Sequence, residues 1–303
     1  MPFTKICSFL LFLIIACSAC TDKLTEKFSY LAQEKPTTTP KIFAKDLISK
    51  SDQSEFGSVF SKDGKEFFYG VDIDGRTEIR YVQFKKEQWT QPVTILSHEK
   101  YGYNDPFLSP DEKELYYISN QPMTGKGEPK DIDIWYSKRT NNGWSEPINA
   151  GPNINSAKEE YYISFTDEGK MYFSTNINAE ENRQGNFDIY TSERINGQYQ
   201  PKQKLGPAIN TNAYEADVVV APDESYMIFC ATRRDVGLGR GDLYISFKDE
   251  KGNWTPSKNM GAPINSKNHE LCPFVTADGQ YLFYTSNQDI YWVSTEVLNA
   301  FRN

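Results

Sequence analysis

Residues Glu215 to Trp254, EADVVVAPDESYMIFCATRRDVGLGRGDLYISFKDEKGNW, decide how the chain is read. Ala216 to Ala221 is a strand-like run of apolar and β-branched residues. A Pro-Asp turn follows, and Tyr226 to Ala231 is a second such run. Arg233 to Gly241 is a Gly-rich loop, Leu243 to Phe247 a third strand, and Trp254 opens a fourth. Asp beside Gly or Pro suits a tight reversal, because its carboxylate caps turn amides.

The unit repeats. The turn aspartates are Asp63, Asp111, Asp167, Asp223 and Asp278, at spacings of 48, 56, 56 and 55. Trp89, Trp144, Tyr199 and Trp254 are each 55 apart, and an acidic-aliphatic-aromatic triplet begins at Asp133, Asp188, Asp242 and Asp289, degenerating to Glu78-Ile-Arg-Tyr81 in the first copy. Four short strands per 40 to 55 residues mark a β-propeller. The fifth copy lacks its last strand, while Pro40 to Ser49 ahead of the first copy reads as an orphan fourth strand. Pairing the two closes the ring and removes an exposed edge. The expected fold is all-β, a five-bladed propeller of four-stranded antiparallel blades. The alternative, six blades, needs residues beyond those present.

Composition agrees. Aromatics make up 14% of the 303 residues, a bias that suits strands. The net charge of −8, without clustered Lys and Arg, argues against nucleic acid. The first 20 residues carry Lys5 and then a short apolar run, Phe9 to Ile15, as a secretory signal does. Ile14-Ile15-Ala16-Cys17 resembles the lipobox of bacterial lipoproteins, which implies lipidation at Cys17, with Cys20 the alternative, and a firm membrane anchor. The expected organisation is signal 1–20, flexible tether 21–39, propeller 40–297 and C-terminal tail 298–303. Cys230 and Cys272 lie in apolar runs and read as buried free thiols.

The Pro-Asp turn, the Asp-Ile-Tyr strand and the linkers Gly151-Pro-Asn-Ile-Asn155, Gly206-Pro-Ala-Ile-Asn210 and Gly261-Ala-Pro-Ile-Asn265 resemble the TolB-like, Pro-Asp class of WD-repeat-like propellers. They look most like those on Bacteroidetes-type envelope lipoproteins. The resemblance covers residues 40 to 295 and is weakest in the first copy, which lacks Pro before Asp63. It implies an outer-membrane-anchored, periplasmic or surface-facing module, monomeric as a domain, that interacts with other envelope components.

Antiparallel strands place the short a–b and c–d turns on one face and the longer b–c loops on the other. Those loops span 121–130, 177–186 and 233–241, and binding is expected there. Eight residues before each turn Asp lie Glu55, Tyr103, Glu159, Glu215 and Glu270, with Asp105 serving the second copy. Two readings stand. The carboxylates ring the channel mouth and hold Ca²⁺ or a cationic group, since hard cations take oxygen ligands. Or each caps a linker by accepting backbone N–H bonds, the preferred reading. Asn120, Asn176, Arg233 and Asn287, ending each second strand, are further candidate contacts. No resident cofactor is expected beyond that Ca²⁺.

Catalysis has little to draw on. His98 and His269 are the only histidines, and no catalytic residue is assigned. Glycoside hydrolysis needs just two carboxylates at the right separation and is the alternative function. The even spacing of the acids favours a non-enzymatic, membrane-anchored module that binds an envelope protein or glycan through its b–c loops.

Overall fold

A computed structural model describes residues 29–178 and 186–302. The signal segment, Cys17, Cys20 and most of the 177–186 loop lie outside the described residues. Five small antiparallel sheets form the ring. Blade one runs from the axis outward as Ser54–Phe60, Glu66–Ile73, Arg76–Lys85 and Val93–Leu96 (strands a to d). Blade two is Tyr103–Leu108, Glu114–Ser119, Asp133–Thr140 and Ile148–Asn149; blade three is Glu160–Phe165, Met171–Thr175, Asp188–Ser192 and Gln203–Lys204. Blade four is Tyr214–Val220, Tyr226–Thr232, Asp242–Phe247 and Lys258–Asn259. Blade five has Leu271–Val275, Tyr281–Ser286 and Asp289–Ser294, and its outer strand is Lys41–Ile42 from the N-terminus, with Lys41 opposite Trp292. The predicted closure is present.

Each b strand is packed on both faces, so its sequence is continuously apolar rather than alternating. Phe67–Tyr69, Leu115–Ile118, Met171–Phe173, Met227–Cys230 and Leu282–Tyr284 are all buried. At the closure, Phe43 follows the N-terminal strand into a fully buried site among Phe60, Phe67, Phe283 and Trp292, with ring centroids 5.0 to 6.0 Å away. Upstream, Tyr30 inserts beside Phe60 and Tyr281, and its hydroxyl donates to Asp278 at 2.5 Å. The segment expected to be a tether is therefore docked from Tyr30 onward, on the a–b turn face. At the other end, the 3₁₀ helix Thr295–Phe301 buries Leu298 against blades four and five, so the propeller body runs into the predicted tail.

The aromatic that ends the repeat sits in the c–d hairpin rather than opening strand d, and in blades two to four (Trp144, Tyr199 and Trp254) it clamps its blade to the one before. Arg139 covers Trp144 at 4.5 Å and bonds Glu66 of blade one through two nitrogens at 3.0 and 2.8 Å. Arg194 lies over Tyr199 and grips Glu114 of blade two at 2.7 and 3.1 Å, while the Tyr199 and Tyr116 hydroxyls meet at 2.8 Å. Between blades four and three the charges are exchanged. Lys170 holds the place of the carboxylate, and Glu224 answers it at 2.8 Å while also binding Lys248 and Tyr172.

Candidate functional site

The glutamates that open the inner strands are buried, and each is bound to the linker entering its own strand. Glu270 accepts from Ser266 N and Oγ at 3.1 and 2.7 Å and from Ser286 at 2.8 Å. Glu215 accepts from Thr211 N and Oγ1 at 3.1 and 2.6 Å, and from Arg234 at 2.8 Å. Glu55 does the same with Lys50 N at 3.2 Å and Gln53 at 2.6 Å. The third blade corrects the sequence count: Glu160, not Glu159, accepts from Ser156 N and Oγ and from Thr175. The a–b turn there is one residue shorter, with Thr166 N bonding Lys170 O where Ser61 N bonds Glu66 O, so Asp167 is a displaced origin. Burial pushes the Glu55 and Glu160 carboxyls up to about 7. These side chains form no ring, and the Ca²⁺ reading loses its ligands. Among the described residues no group of three or more His, Cys, Asp or Glu is placed to hold a metal.

The strand-b residues divide. Asn120 accepts from Gly102 N and Asn176 from Glu159 N, both at 2.9 Å, so each fastens the linker that enters its own blade. Arg233 reaches Asn186 at 3.3 Å, and Asn287 occupies a left-handed position (φ 50°) in a tight, exposed b–c turn. In the Gly-x-x-Ile-Asn linkers, Asn155, Asn210 and Asn265 each clasp both backbone groups of one strand-c residue, Ile134, Ile189 and Leu243, at 2.8 to 2.9 Å. Strand-c Asp133, Asp188 and Asp242 hold strand d through Asn149, Lys204 and Asn259. These are scaffold.

Asymmetry appears one layer deeper. Every inner strand carries a bulge at the same height, and its residue there has positive φ: Gly57 (53°), Asp105 (51°), Tyr162 (46°), Asp217 (52°) and Cys272 (51°). Tyr and Cys rarely adopt this region, at a cost of about 1–3 kcal/mol each, and such residues cluster at functional sites. Five blades thus present five residues to the axis: two aspartates, a tyrosine, a cysteine and the bare glycine. Cys272 Sγ–H donates to Asp105 Oδ1 at 3.6 Å, the Cys272 amide donates to Asp217, and the Gly57 amide donates to the Cys272 sulfur. Tyr162 hydroxyl reaches Pro273 O at 2.8 Å. A Cβ on Gly57 would lie 2.6 Å from Asp105 Oδ1.

Asp105 and Asp217 are each 8% exposed. Burial, then the Asp217 charge, lifts Asp105 to about 8, and burial lifts Asp217 to about 6. Desolvation pushes the Cys272 thiol well up, which disfavours the thiolate. On the loop side, Phe187 stacks on Tyr161 at 4.7 Å and meets Tyr214 at 5.4 Å, an aromatic wall above the ring. On the turn side Val59, Phe107, Val219 and Phe274 surround a cavity of about 90 Å³. His269 lies 3.6 Å from Cys230, but that thiol is fully buried and burial pushes it well up.

Sequence reasoning named Asp105 for the wrong series and missed the ring. Its signal was present: an acid or other misfit inside an apolar strand, four residues before the Ser, Thr or Ala that begins the turn.

No family model and no curated protein matches the chain. Among solved structures, a protein of unknown function from Dyadobacter fermentans superposes with a TM-score of 0.52, at 14% identity over 82% of this chain and 78% of that one. TolB from Acinetobacter baumannii matches at 0.48 and 14% identity, over 80% of this chain and 55% of that chain, so the present chain spans about half of TolB. The Penicillium chrysogenum α-L-arabinanase solved with arabinobiose matches at 0.49 and 12%, over 85% and 77%. At such identities likeness speaks for fold alone: the chain is a five-bladed β-propeller, its last blade completed by the N-terminal strand.

Proposed function

We propose that this propeller is a non-enzymatic binding module, held on the outer membrane by a lipidated N-terminal cysteine, that engages an envelope protein through its b–c loop face. One observation carries the reading. Of the six large apolar side chains exposed among the described residues, four sit on b–c loops: Met123 (65%), Ile177 (36%), Val236 (65%) and Leu238 (54%). Exposed apolar residues gathered on one face of a rigid scaffold mark interaction sites, and they favour a protein over a glycan. The chain also enters the fold on the opposite face, through Tyr30 at Asp278 and Thr37 O at Ser294 N (2.9 Å), so an anchor before residue 29 would turn the loops away from the lipid.

The test is crosslinking in cells followed by purification, comparing wild type with Met123→Ser/Val236→Ser/Leu238→Ser and with Ile195→Ser on the turn face. A specific partner lost only in the loop variant supports the reading; a partner indifferent to the loops overturns it. A carbohydrate-active enzyme is the second reading. The observation in its favour is the unlike environments of Asp105 and Asp217, and turnover of an aryl glycoside abolished by Asp105→Asn and by Asp217→Asn would establish it.

A further inference from the structure

We propose that the loop-side mouth of the central channel is a receptor for a cationic side chain, an ammonium or guanidinium offered by the partner, which rests against Tyr161 and Tyr214 above the carboxylates of Asp105 and Asp217. The inference rests on the loop-face reading and names what that partner must present.

The observation behind it is a contrast among acids. Glu114 is paired with Arg194, Glu215 with Arg234, Asp133 with Lys130 and Asp188 with Lys204. Glu55, Glu160 and Glu270 are saturated by neutral donors. Asp105 has a single thiol at 3.6 Å and Asp217 a single backbone amide, with no cation acting on either. An ionised carboxylate accepts about four hydrogen bonds, and a buried one lacking a counter-charge is costly. Both are more than nine-tenths buried, on the matching bulges of their inner strands, and the Asp217 charge acts on Asp105.

The surroundings select the guest. Tyr161 and Tyr214 are only partly buried, and the Asp217 charge bears on both hydroxyls. Aromatic faces over a desolvated site favour cations. Beneath, the layer of Val59, Phe107, Val219 and Phe274 offers no polar partner, so a charged group entering from the loops stops at the ring. Lys and Arg have the reach and an apolar stem for the aromatic wall.

Calorimetric titration of the full-length protein with n-butylguanidinium and n-butylammonium chloride tests the site, with n-butanol as the neutral counterpart. Saturable binding of at least one cation is expected, absent for n-butanol and weakened at least about tenfold in Asp217→Asn. Asp105→Asn, near-isosteric and relieved of a buried charge, is expected to stay folded by circular dichroism and to lose binding likewise. Equal binding of n-butanol, no saturable cation binding, or cation binding unchanged in both variants overturns the proposal. The two readings fail separately. If the loop variant loses the partner while Asp105→Asn and Asp217→Asn keep it, the receptor falls and the loop face stands. If cations bind but the loop variant keeps the partner, the reverse holds.

Discussion

The thiol of Cys272 in blade five lies 3.6 Å from Oδ1 of Asp105 in blade two, across the axis of the ring and 167 residues away in sequence. The contact exists because both residues sit on the same bulge of their inner strands, at φ 51° in each case. Its partner in crowding is Gly57, whose missing side chain leaves room for the Asp105 carboxylate. Gly57→Ala is expected to destabilise by about 3 kcal/mol, combining a left-handed alanine with a 2.6 Å clash. Adding Asp105→Ala should recover the carboxylate part of the clash, but neither the 2.9 Å approach to the Cα of residue 105 nor the backbone cost. Urea unfolding of the single and double variants measures both parts.

Acidification should stabilise this protein across a window where many lose stability. The folded-state carboxyls of Asp105 (about 8), Glu55 and Glu160 (about 7) and Asp217 (about 6) all lie above their ordinary values. The native state therefore binds more protons than the unfolded state between roughly pH 4 and 8. The stability so contributed is complete below the unfolded values and is lost as pH rises through the folded ones. The melting temperature at pH 5.5 is expected above that at pH 8.5, with a smaller difference in Asp105→Asn. Glu224 acts oppositely: its three donors hold it down at about 2, so its contribution fades as the pH falls below about 4 toward 2. A melting temperature that climbs steadily from pH 5.5 to 8.5 contradicts this.

Blade-to-blade clamps should be uneven in strength. Arg194→Ala removes a two-pronged bond from Glu114, whose side chain is 10% exposed, and is expected to cost about 2–3 kcal/mol. Arg194→Lys keeps the charge but not the fork, and should fall between. Denaturant midpoints at constant slope give the values. The Lys62–Asp167 pair, both halves more than half exposed, should be near neutral on removal.

The linkers offer a cleaner contrast. Asn265→Ala strands the buried amide of Leu243, whose carbonyl still accepts from Met260 N at 3.0 Å, and should cost about 1–3 kcal/mol. Leu243 amide exchange, followed by mass spectrometry or NMR, is expected to accelerate with it, whereas substitution of exposed Asn287 by Gly, at φ 50°, should leave stability nearly unchanged.

Much of this architecture is written in local sequence because repetition is a local property. The Pro-Asp turns, the paired b strands and the orphan strand near Phe43 each leave a pattern that survives without knowledge of the third dimension. The site is less legible for a physical reason. Glu159 and Glu160 differ by one turn residue, and a single-residue shift reverses which side chain faces inward. The axial ring is harder still, since a bulge is a defect of register that composition does not announce. Asp217 in a run of valines was its visible trace, and only the closed ring shows that Asp105, Tyr162 and Cys272 occupy the same height.

Lys41 and Ile42 make up the whole outer strand of blade five, reinforced by Phe43 behind them and by Tyr30 ahead. The chain therefore leaves the ring through the strand that shuts it. Force drawn along the N-terminus is borne first by Tyr30, next by the Thr37–Ser294 backbone bond and then by a two-residue seam. Tension and ring opening are one movement, and the mechanical strength of the domain is set by those few contacts and not by its four other blades.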